Sequence, residues 1–318
     1  MTVLRIGTRG SRLALWQTQW VMERLRELHP NLSVEIVTIK TSGEKDLHAD
    51  PNAPLVQPGS RGMGVFTDEI ETALLDGRID LAVHSLKDLA SELPQGLVIG
   101  AYCVREDPRD VLVSTGGLTF AELPPHSLIG TSSLRRVAQV LHLRPDLRCV
   151  DMRGNVDTRL RRLEESSELS AIILAAAGII RLGFTDRITQ YFDDEVFLPA
   201  PGQGVIAVEI SAERDDLREL TAKLNHQPSE YEVRCERSFL SALKGGCRLP
   251  VGARAIHGGD TIRFRGMVAS IDGTQMITTQ ISGTDPESLG RQAAQDVLDR
   301  GATQILEAIR QSDGQSHE

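Results

Sequence analysis

The chain has 318 residues, of which 40% are hydrophobic and 25% charged, the composition of an ordinary globular protein with room for two or three domains. A net charge of −9 argues against nucleic acid as the main partner, and no apolar run approaches the roughly 18 residues that a membrane span needs. The four cysteines lack metal-ligand or disulfide spacing and the N-terminus lacks a secretory signal, which predicts a cytoplasmic protein without a bound metal.

The first hundred residues read as an α/β unit. Alternating and helical spacing of apolar residues predicts strands over 3–7, 34–39 and 79–83 and helices over 12–28 and 66–75. The intervening stretch 41–64 is rich in Gly, Pro, Ser, Asp and Asn and has no periodicity. Long stretches of this kind are usually lids or inert insertions, and we favour a lid.

The densest group of polar side chains follows the buried strand 79–83. His84, Ser85, Lys87 and Asp88 lie within five residues, and Lys87 is one of only five lysines in the chain. In open α/β sheets, ligands bind outside the carboxyl ends of the strands, which is where this group falls. The same residues are also compatible with a surface ion pair that caps the strand.

A second α/β unit follows Gly100, and the last hundred residues change pattern. The apolar strand 205–210 is expected to return to the first sheet. After a break at 227–229, a helix, three alternating strands and a closing helix over 286–310 read as a small α+β unit. We therefore predict three domains: 1–100 with 200–222, 101–199, and 223–318.

Three predicted helices begin with Gly-Thr or Gly-Asn and carry arginine in or near the first turn. The segments are Ile6–Arg12, Ile129–Arg136 and Met152–Arg159. A helix N-terminus already carries partial positive charge, so arginine there is unfavourable unless an anion binds. Taken singly, Ser11 and Ser133 read as ordinary N-caps, whereas the repetition favours anion sites.

The abundance of arginine restricts the chemical class of ligand that the site is expected to bind. Between Thr131 and Arg162 the chain has eight arginines against three aspartates. A guanidinium group binds a carboxylate or phosphate through two parallel hydrogen bonds and stays charged in most surroundings. Because neither a P-loop nor a Gly-x-Gly-x-x-Gly turn is present, a small polycarboxylate is favoured over a nucleotide.

Cys247 is a second candidate for chemistry. It follows two glycines and precedes Arg248, where a thiol can be exposed and a cation favours the thiolate. A buried structural thiol is the other reading, and it suits the remaining cysteines, Cys103, Cys149 and Cys235. No neighbouring histidine suggests a protease-like pair, so a nucleophile in covalent hydrolysis is not the natural role, and an attachment point stays open as an alternative.

Taken together and in this order, these motifs resemble the hydroxymethylbilane synthase (porphobilinogen deaminase) family. The likeness extends from about Leu4 to past Pro250. It is carried by Val83–Asp88, Gly130–Arg136, Arg153–Asn155 and Gly245–Cys247, supported by Arg105–Asp110 and Pro201–Gly204.

The resemblance implies two periplasmic-binding-protein-like α/β domains with an interdomain cleft, plus a small C-terminal α+β domain. It implies a cytoplasmic, monomeric transferase of tetrapyrrole biosynthesis that joins four porphobilinogens head to tail with loss of ammonia. A dipyrromethane cofactor, bound by a thioether to Cys247, would carry the growing chain, and hydrolysis would release hydroxymethylbilane.

The resemblance also assigns roles to residues. Asp88, which matches the family's catalytic aspartate, and Lys87 are implied as catalytic residues. Cofactor binding is implied for Cys247, Ser85, Lys87, Asp88, Thr131, Ser132, Ser133, Arg135, Arg136, Arg153, Gly154 and Asn155. Substrate binding is implied for Arg9, Ser11, Phe66, Arg153, Arg159, Arg181 and Gln203.

Two positions depart from the family pattern. Met63 stands where a lysine is usual in the lid, and Ala90 stands where a proline usually follows the catalytic aspartate. Two other classes compete with the enzyme: a cleft-type binding protein that closes on a polycarboxylate without chemistry, and a thiol enzyme using Cys247. An unpaired acid at Asp88 would weaken anion binding, which favours catalysis.

Overall fold

The computed structural model describes residues 3–41, 67–244 and 249–315 as three sheets with helices packed on them. The strands are β1 (Leu4–Thr8), β2 (Val34–Thr38), β3 (Leu81–Ser85), β4 (Leu97–Tyr102), β5 (Asp110–Ser114), β6 (Leu128–Gly130), β7 (Arg148–Val150), β8 (Leu169–Ala175), β9 (Gln190–Tyr191), β10 (Ile206–Ser211), β11 (Val251–Gly258), β12 (Thr261–Ala269) and β13 (Met276–Gly283). The helices of six residues or more are α1 (Arg12–Leu28), α2 (Asp68–Leu75), α3 (Leu134–Leu143), α4 (Val156–Glu165), α5 (Ala176–Arg181), α6 (Asp215–Ala222), α7 (Gln227–Ala242), α8 (Pro286–Val297) and α9 (Thr303–Gln315).

The first sheet has the order β2-β1-β3-β10-β4. β1 is parallel to β2 and β3, whereas β10 is antiparallel to β3 and β4. Helix α1 covers one face through Val21 and Leu25, and α2 covers the other through Ile70. The prediction that the strand after Gly204 returns to the first sheet is confirmed. The carboxyl ends of β1 and β3 consequently lie side by side, and each leads into a predicted site segment.

The second sheet has the order β7-β6-β8-β5-β9 and repeats the arrangement. Helix α4 packs on one face through Leu160 and Leu163, and α3 packs on the other through Val140. Two segments, 103–109 and 192–205, connect the first sheet with the second. They are hydrogen-bonded to each other, since the Glu106 N–H donates to the Gly204 carbonyl over 3.1 Å.

The third sheet is the antiparallel meander β11-β12-β13, covered by α7, α8 and α9. Phe239 and Phe264 meet in its core with ring centroids 5.1 Å apart. The predicted fold class, two α/β units followed by a small α+β unit, is confirmed. The residue boundaries of the three domains stay a prediction.

Several predicted elements differ from the structure. The break expected at 227–229 is the first turn of α7, because Pro228 occupies a position whose N–H has no helical partner. The closing helix is divided at Gly301, whose φ of +107° interrupts it. Strand β4 was not predicted. The predicted lid lies outside the described residues except for its first residue, Thr41.

Candidate active site

A cavity of about 240 Å³ lies between the first and second sheets, at the carboxyl ends of their strands. Residues from both sheets line it, together with the second connecting segment. Eleven of the residues that sequence reasoning assigned to a site are among them: Arg9, Ser11, Ser85, Lys87, Asp88, Arg136, Gly154, Asn155, Arg159, Arg181 and Gln203.

Lys87 and Asp88 lie in a short 3₁₀ turn, Leu86–Asp88, that continues directly from β3. The turn is closed by the Leu89 N–H, which donates to the Leu86 carbonyl over 3.1 Å. The Asp88 side chain is exposed and makes no hydrogen bond to any residue that the structure describes. Asp88 is also the one carboxylate among the described residues that line the cavity.

Lys87 is partly buried, and its Nζ donates to Gln203 Oε1 over 3.3 Å. Burial lowers the pKa of Lys87 to about 8, although the neighbouring Asp88 opposes this shift. Gln203 itself is fully buried. Its Nε2 donates to the Pro108 carbonyl over 2.7 Å and to the Asp110 carboxylate over 2.9 Å, so it fixes Lys87 to the connecting segments.

The first turn of α3 carries two buried arginines that share one buried carboxylate. Arg135 and Arg136 approach Asp110 at 2.6 Å and 2.7 Å. Burial alone would raise the pKa of Asp110, but the two guanidinium charges outweigh it and hold that pKa well below its usual range. Arg136 also lines the cavity, whereas Arg135 turns to the Leu198 carbonyl at 2.6 Å and lies outside the lining.

Arg159 and Arg181 enter the cavity from the second sheet. Arg159 Nε donates to the Gly154 carbonyl of its own turn over 2.8 Å, and Arg181 Nη2 donates to the Gly204 carbonyl over 2.7 Å. Burial lowers the pKa of each to about 10, and for Arg159 the charge of Arg136 adds to the effect. Both remain charged at neutral pH, so the cavity holds more positive than negative charge.

The turn before α3 lies beside the cavity rather than in its lining. Thr131 Oγ1 accepts a hydrogen bond from the Ser133 N–H over 3.3 Å, and Ser133 makes no side-chain cap to its helix. Ser132 Oγ is buried and has no hydrogen-bond partner within the described part of the chain. Arg153 contacts Asp151 at 3.2 Å, also outside the lining. Phe66, Cys247 and Arg248 lie outside the described residues.

Only some of the arginines in the predicted cluster lie at the cavity. Of the eight between Thr131 and Arg162, only Arg136 and Arg159 line the cavity. Arg144 instead binds Asp146 and three backbone carbonyls, and Arg161 is paired with Glu165 at the surface. Because all eight lie close in sequence, their spacing alone did not distinguish which strand or helix end faces the cleft.

Ser11 has an ordinary capping role in addition to its place in the cavity, since its Oγ accepts from the Ala14 N–H over 3.2 Å. Gln17, which sequence reasoning missed, is buried in the lining and donates to Ser85 Oγ over 2.9 Å. Asp110 was also missed as a site residue. The signal was present in both cases as a polar side chain inside an apolar pattern.

The three described cysteines have structural surroundings. Burial raises the pKa of Cys103 and Cys149 to about 12 and raises the pKa of Cys235 as well, so these thiols are protonated at neutral pH. Among the described residues, no group of histidine, cysteine or carboxylate side chains is arranged to hold a metal ion. In the same part of the chain, no helix is long and apolar enough to cross a membrane.

Fold and site together define a class of protein: a two-sheet cleft protein whose cavity, among the described residues, is lined by several cations and one acid. Two family models match the chain, "Porphobilinogen deaminase, dipyromethane cofactor binding domain" over residues 4–219 and "Porphobilinogen deaminase, C-terminal domain" over residues 230–299. The chain belongs to the porphobilinogen deaminase family.

Curated relatives agree over the full length. The chain is 50% identical over 310 residues to a porphobilinogen deaminase of Desulfitobacterium hafniense, with 98% of each chain covered. It is 48% identical over 312 residues to that of Pelotomaculum thermopropionicum, again with 98% of each covered. Among solved structures, a YaeC-family lipoprotein from Enterococcus faecalis is 10% identical with a TM-score of 0.43, covering 70% of this chain and 91% of that chain.

The residues present fit a dipyrromethane. Such a group brings several carboxylates, and the cavity offers guanidinium groups from four different turns, at Arg9, Arg136, Arg159 and Arg181. Ser132, four residues before Arg136 in sequence, has a buried Oγ that finds no hydrogen-bond partner among the described residues and could serve as a further donor. The cavity belongs to the region that matches the cofactor-binding family model.

Proposed function

We propose that the chain is a hydroxymethylbilane synthase, a transferase that condenses four porphobilinogen molecules stepwise and releases the linear tetrapyrrole by hydrolysis. The observation that carries the proposal is that, among the described residues lining the cavity, Asp88 is the one carboxylate and the other charged groups are cationic. A site that only bound polycarboxylates would gain from losing this acid, since it repels the ligand. Its presence is explained by chemistry that develops positive charge.

Binding of the substrate is assigned to the guanidinium groups. Each pyrrole unit carries an acetate and a propionate, and Arg9, Arg136, Arg159 and Arg181 offer paired donors at separated positions around the cavity. Lys87 supplies a further positive charge beside Asp88. Fixing the remote acids orients the reacting carbons, which lowers the entropic part of the barrier.

Catalysis is assigned to Asp88. When the C–N bond of the aminomethyl group breaks, the electron pair leaves with ammonia and the remaining pyrrole becomes a cation whose charge spreads to the ring N–H. A carboxylate at that N–H stabilises the developing charge. The same carboxyl group can donate a proton to the departing amine as the C–N bond breaks, and can accept the proton that the α-carbon loses after the new C–C bond has formed.

The dipyrromethane, when bound, supplies the acceptor carbon for the first condensation. Cys247 is proposed as its thioether attachment point. Ser85, Thr131, Ser132, Ser133, Arg135, Arg136, Arg153, Gly154 and Asn155 are proposed to surround it, and Ser11, Phe66 and Gln203 to support the substrate. We further propose that the protein acts as a cytoplasmic monomer in haem and chlorophyll synthesis, with porphobilinogen as its small-molecule partner.

Intact mass and turnover test the proposal together. Purified protein should exceed the 34.8 kDa chain mass by one dipyrrole, and should release ammonia from porphobilinogen. A matched Cys247→Ser variant should show the bare chain mass and no turnover. Bare chain mass in an active wild-type protein would refute the covalent cofactor. Tight binding of porphobilinogen without ammonia release would instead establish a non-catalytic binding protein.

A further inference from the structure

The turn that carries Lys87 and Asp88 is held from outside the cavity by helix α7. Arg237 Nη2 donates to the Ala90 carbonyl over 2.6 Å and to the Ser91 carbonyl over 3.0 Å. One helical turn further, Ser241 Oγ donates to Glu92 Oε1 over 3.1 Å. The C-terminal unit therefore contacts the backbone two and three residues after Asp88.

The same face of α7 also packs on the turn itself. Val233 lies in one buried cluster with Leu86 and Leu89. Positions 233, 237 and 241 are four residues apart, so they form a single stripe along the helix. This stripe follows the chain from Leu86 to Glu92.

The N-terminal side of the turn has its own anchor. The Leu86 N–H donates to the Val205 carbonyl over 3.0 Å, which fixes the entry to the turn. Arg237 fixes its exit. Because Ala90 is exposed, water can satisfy its carbonyl when Arg237 is absent, so the hydrogen bonds define position more than stability.

We propose that Arg237 is a positioning residue, which holds the Lys87–Asp88 turn at the depth in the cavity that the reaction needs. This inference rests on the proposed hydroxymethylbilane synthase activity. Arg237 is not among the described residues that line the cavity, so its effect on the Lys87–Asp88 turn is assigned to its hydrogen bonds with the backbone at Ala90 and Ser91. A misplacement of about 1 Å at a catalytic group costs up to 100-fold in rate, so small movements of this turn are sufficient.

The experiment compares Arg237→Met with Arg234→Met in the cofactor-loaded protein. Arg234 is on the same helix and loses two ion pairs, to Glu230 and Glu287, but it does not contact the turn. We expect Arg237→Met to lower kcat about tenfold with KM within twofold and with the dipyrrole mass retained. Arg234→Met should leave kcat within twofold of wild type.

Two rescues separate positioning from a loss of folding. Arg237→Lys keeps a donor and should recover most of kcat. Ala90→Pro, added to Arg237→Met, should restore part of kcat because the proline ring stiffens the turn, and Leu89 already has the extended ψ of 142° that precedes proline comfortably. If Arg237→Met does not fold, Arg237→Lys replaces it in the experiment. We then expect a two- to threefold loss in kcat, which Ala90→Pro should recover.

Equal kcat in Arg237→Met and wild type would overturn the inference while leaving the proposed function intact. The inference would also be overturned if the loss of kcat followed the loss of thermal stability in both Arg234→Met and Arg237→Met. It would likewise be overturned if Ala90→Pro did not change the loss of kcat in Arg237→Met. Absence of porphobilinogen turnover in the wild-type protein would overturn the proposed function and this inference with it.

Discussion

Lys87 and Asp88 are adjacent in sequence, yet their surroundings differ. Lys87 is partly buried and tied to Gln203, whereas the Asp88 carboxylate is exposed to the cavity. Around them the charged groups are guanidinium ions that stay charged at neutral pH. We therefore expect the chemistry at neutral pH to depend on Asp88 and the pH response of substrate binding to depend on Lys87.

Replacing Asp88 by asparagine tests whether the chemistry depends on this acid. Asp88→Asn keeps the shape and removes the charge, so we expect folding and cofactor mass to be retained while kcat falls roughly 100-fold or more. Asp80→Asn is a matched control, because Asp80 precedes the same strand but is paired with Arg5 at 3.1 Å. The control should lower the unfolding temperature and keep kcat. Near-normal turnover in Asp88→Asn would remove the assigned role.

The pKa of about 8 at Lys87 gives a pH prediction. The lysine is charged below this pH and loses its proton as the pH rises through it, so binding of substrate carboxylates is strongest below about pH 8 and weakens above. The value of kcat/KM, which reports the free enzyme, should fall towards higher pH. Lys87→Arg should abolish this fall, since arginine stays charged, and Lys223→Arg at an exposed site should not. Identical profiles for all three proteins would contradict the assignment.

At the scale of elements, the two connecting segments 103–109 and 192–205 determine how the two sheets meet. Gly204 is at their closest approach, with its carbonyl accepting from Glu106 N–H and from Arg181. Its φ is +92°, and a Cβ there would lie 2.4 Å from the Glu106 carbonyl oxygen. Only glycine satisfies both constraints.

Gly204→Ala should therefore lower the free energy of unfolding by more than backbone strain alone, because the added Cβ also collides with the Glu106 carbonyl oxygen. Gly116 is the matched control, because its φ is +70° but an added Cβ meets nothing within 4 Å. We expect Gly116→Ala to lower the free energy of unfolding by about 1 kcal/mol and Gly204→Ala by roughly 2–5 kcal/mol, measured by urea titration. Equal losses would mean that the segments separate easily at this point.

Sequence patterns predicted elements whose signals are local. Helix α1 was predicted with its observed bounds, because its apolar period lies between the Ser11 cap and Pro30, which stops a helix. Strand β4 was missed because Gly100 interrupts an already weak alternation, and its identity as a strand comes from pairing with β10, more than 100 residues later. The start of α7 at Gln227 was misread because proline, here Pro228, marks both breaks and the first turns of helices.

The site residues, like the elements, were predicted where their signals are local in the sequence. Eleven of the residues that the motifs singled out line one cavity, since they lie near strand ends that a parallel arrangement brings together. They did not separate Arg136, which lines the cavity, from its neighbour Arg135. That difference depends on Asp110 and Leu198, which tertiary packing supplies. Gln17 lies on the buried face of α1, in register with Ala14 and Val21, and was missed because that spacing was not checked for polar side chains.

On the scale of the whole molecule, one carboxylate joins all three parts of the chain. Glu236 on α7 is fully buried and contacts Arg105 at 2.7 Å and 3.0 Å. It also accepts from the Gly202 N–H and from the Ala255 N–H, both over 2.8 Å. Arg105 and Gly202 belong to the two connecting segments, and Ala255 belongs to the third sheet. The C-terminal unit is thus bonded to both connections between the other two.

Glu236→Gln should consequently destabilise the protein beyond the loss of a surface pair. The amide keeps the shape but leaves the buried Arg105 with less counter-charge, and breaking a buried pair costs about 3–5 kcal/mol. Glu230→Gln on the same helix removes a partly exposed pair with Arg234 and should cost about 1 kcal/mol or less. Urea unfolding followed by circular dichroism measures both. Losses of equal size would show that Arg105 is satisfied by Glu232, 3.1 Å away, and that Glu236 does not hold the three units together.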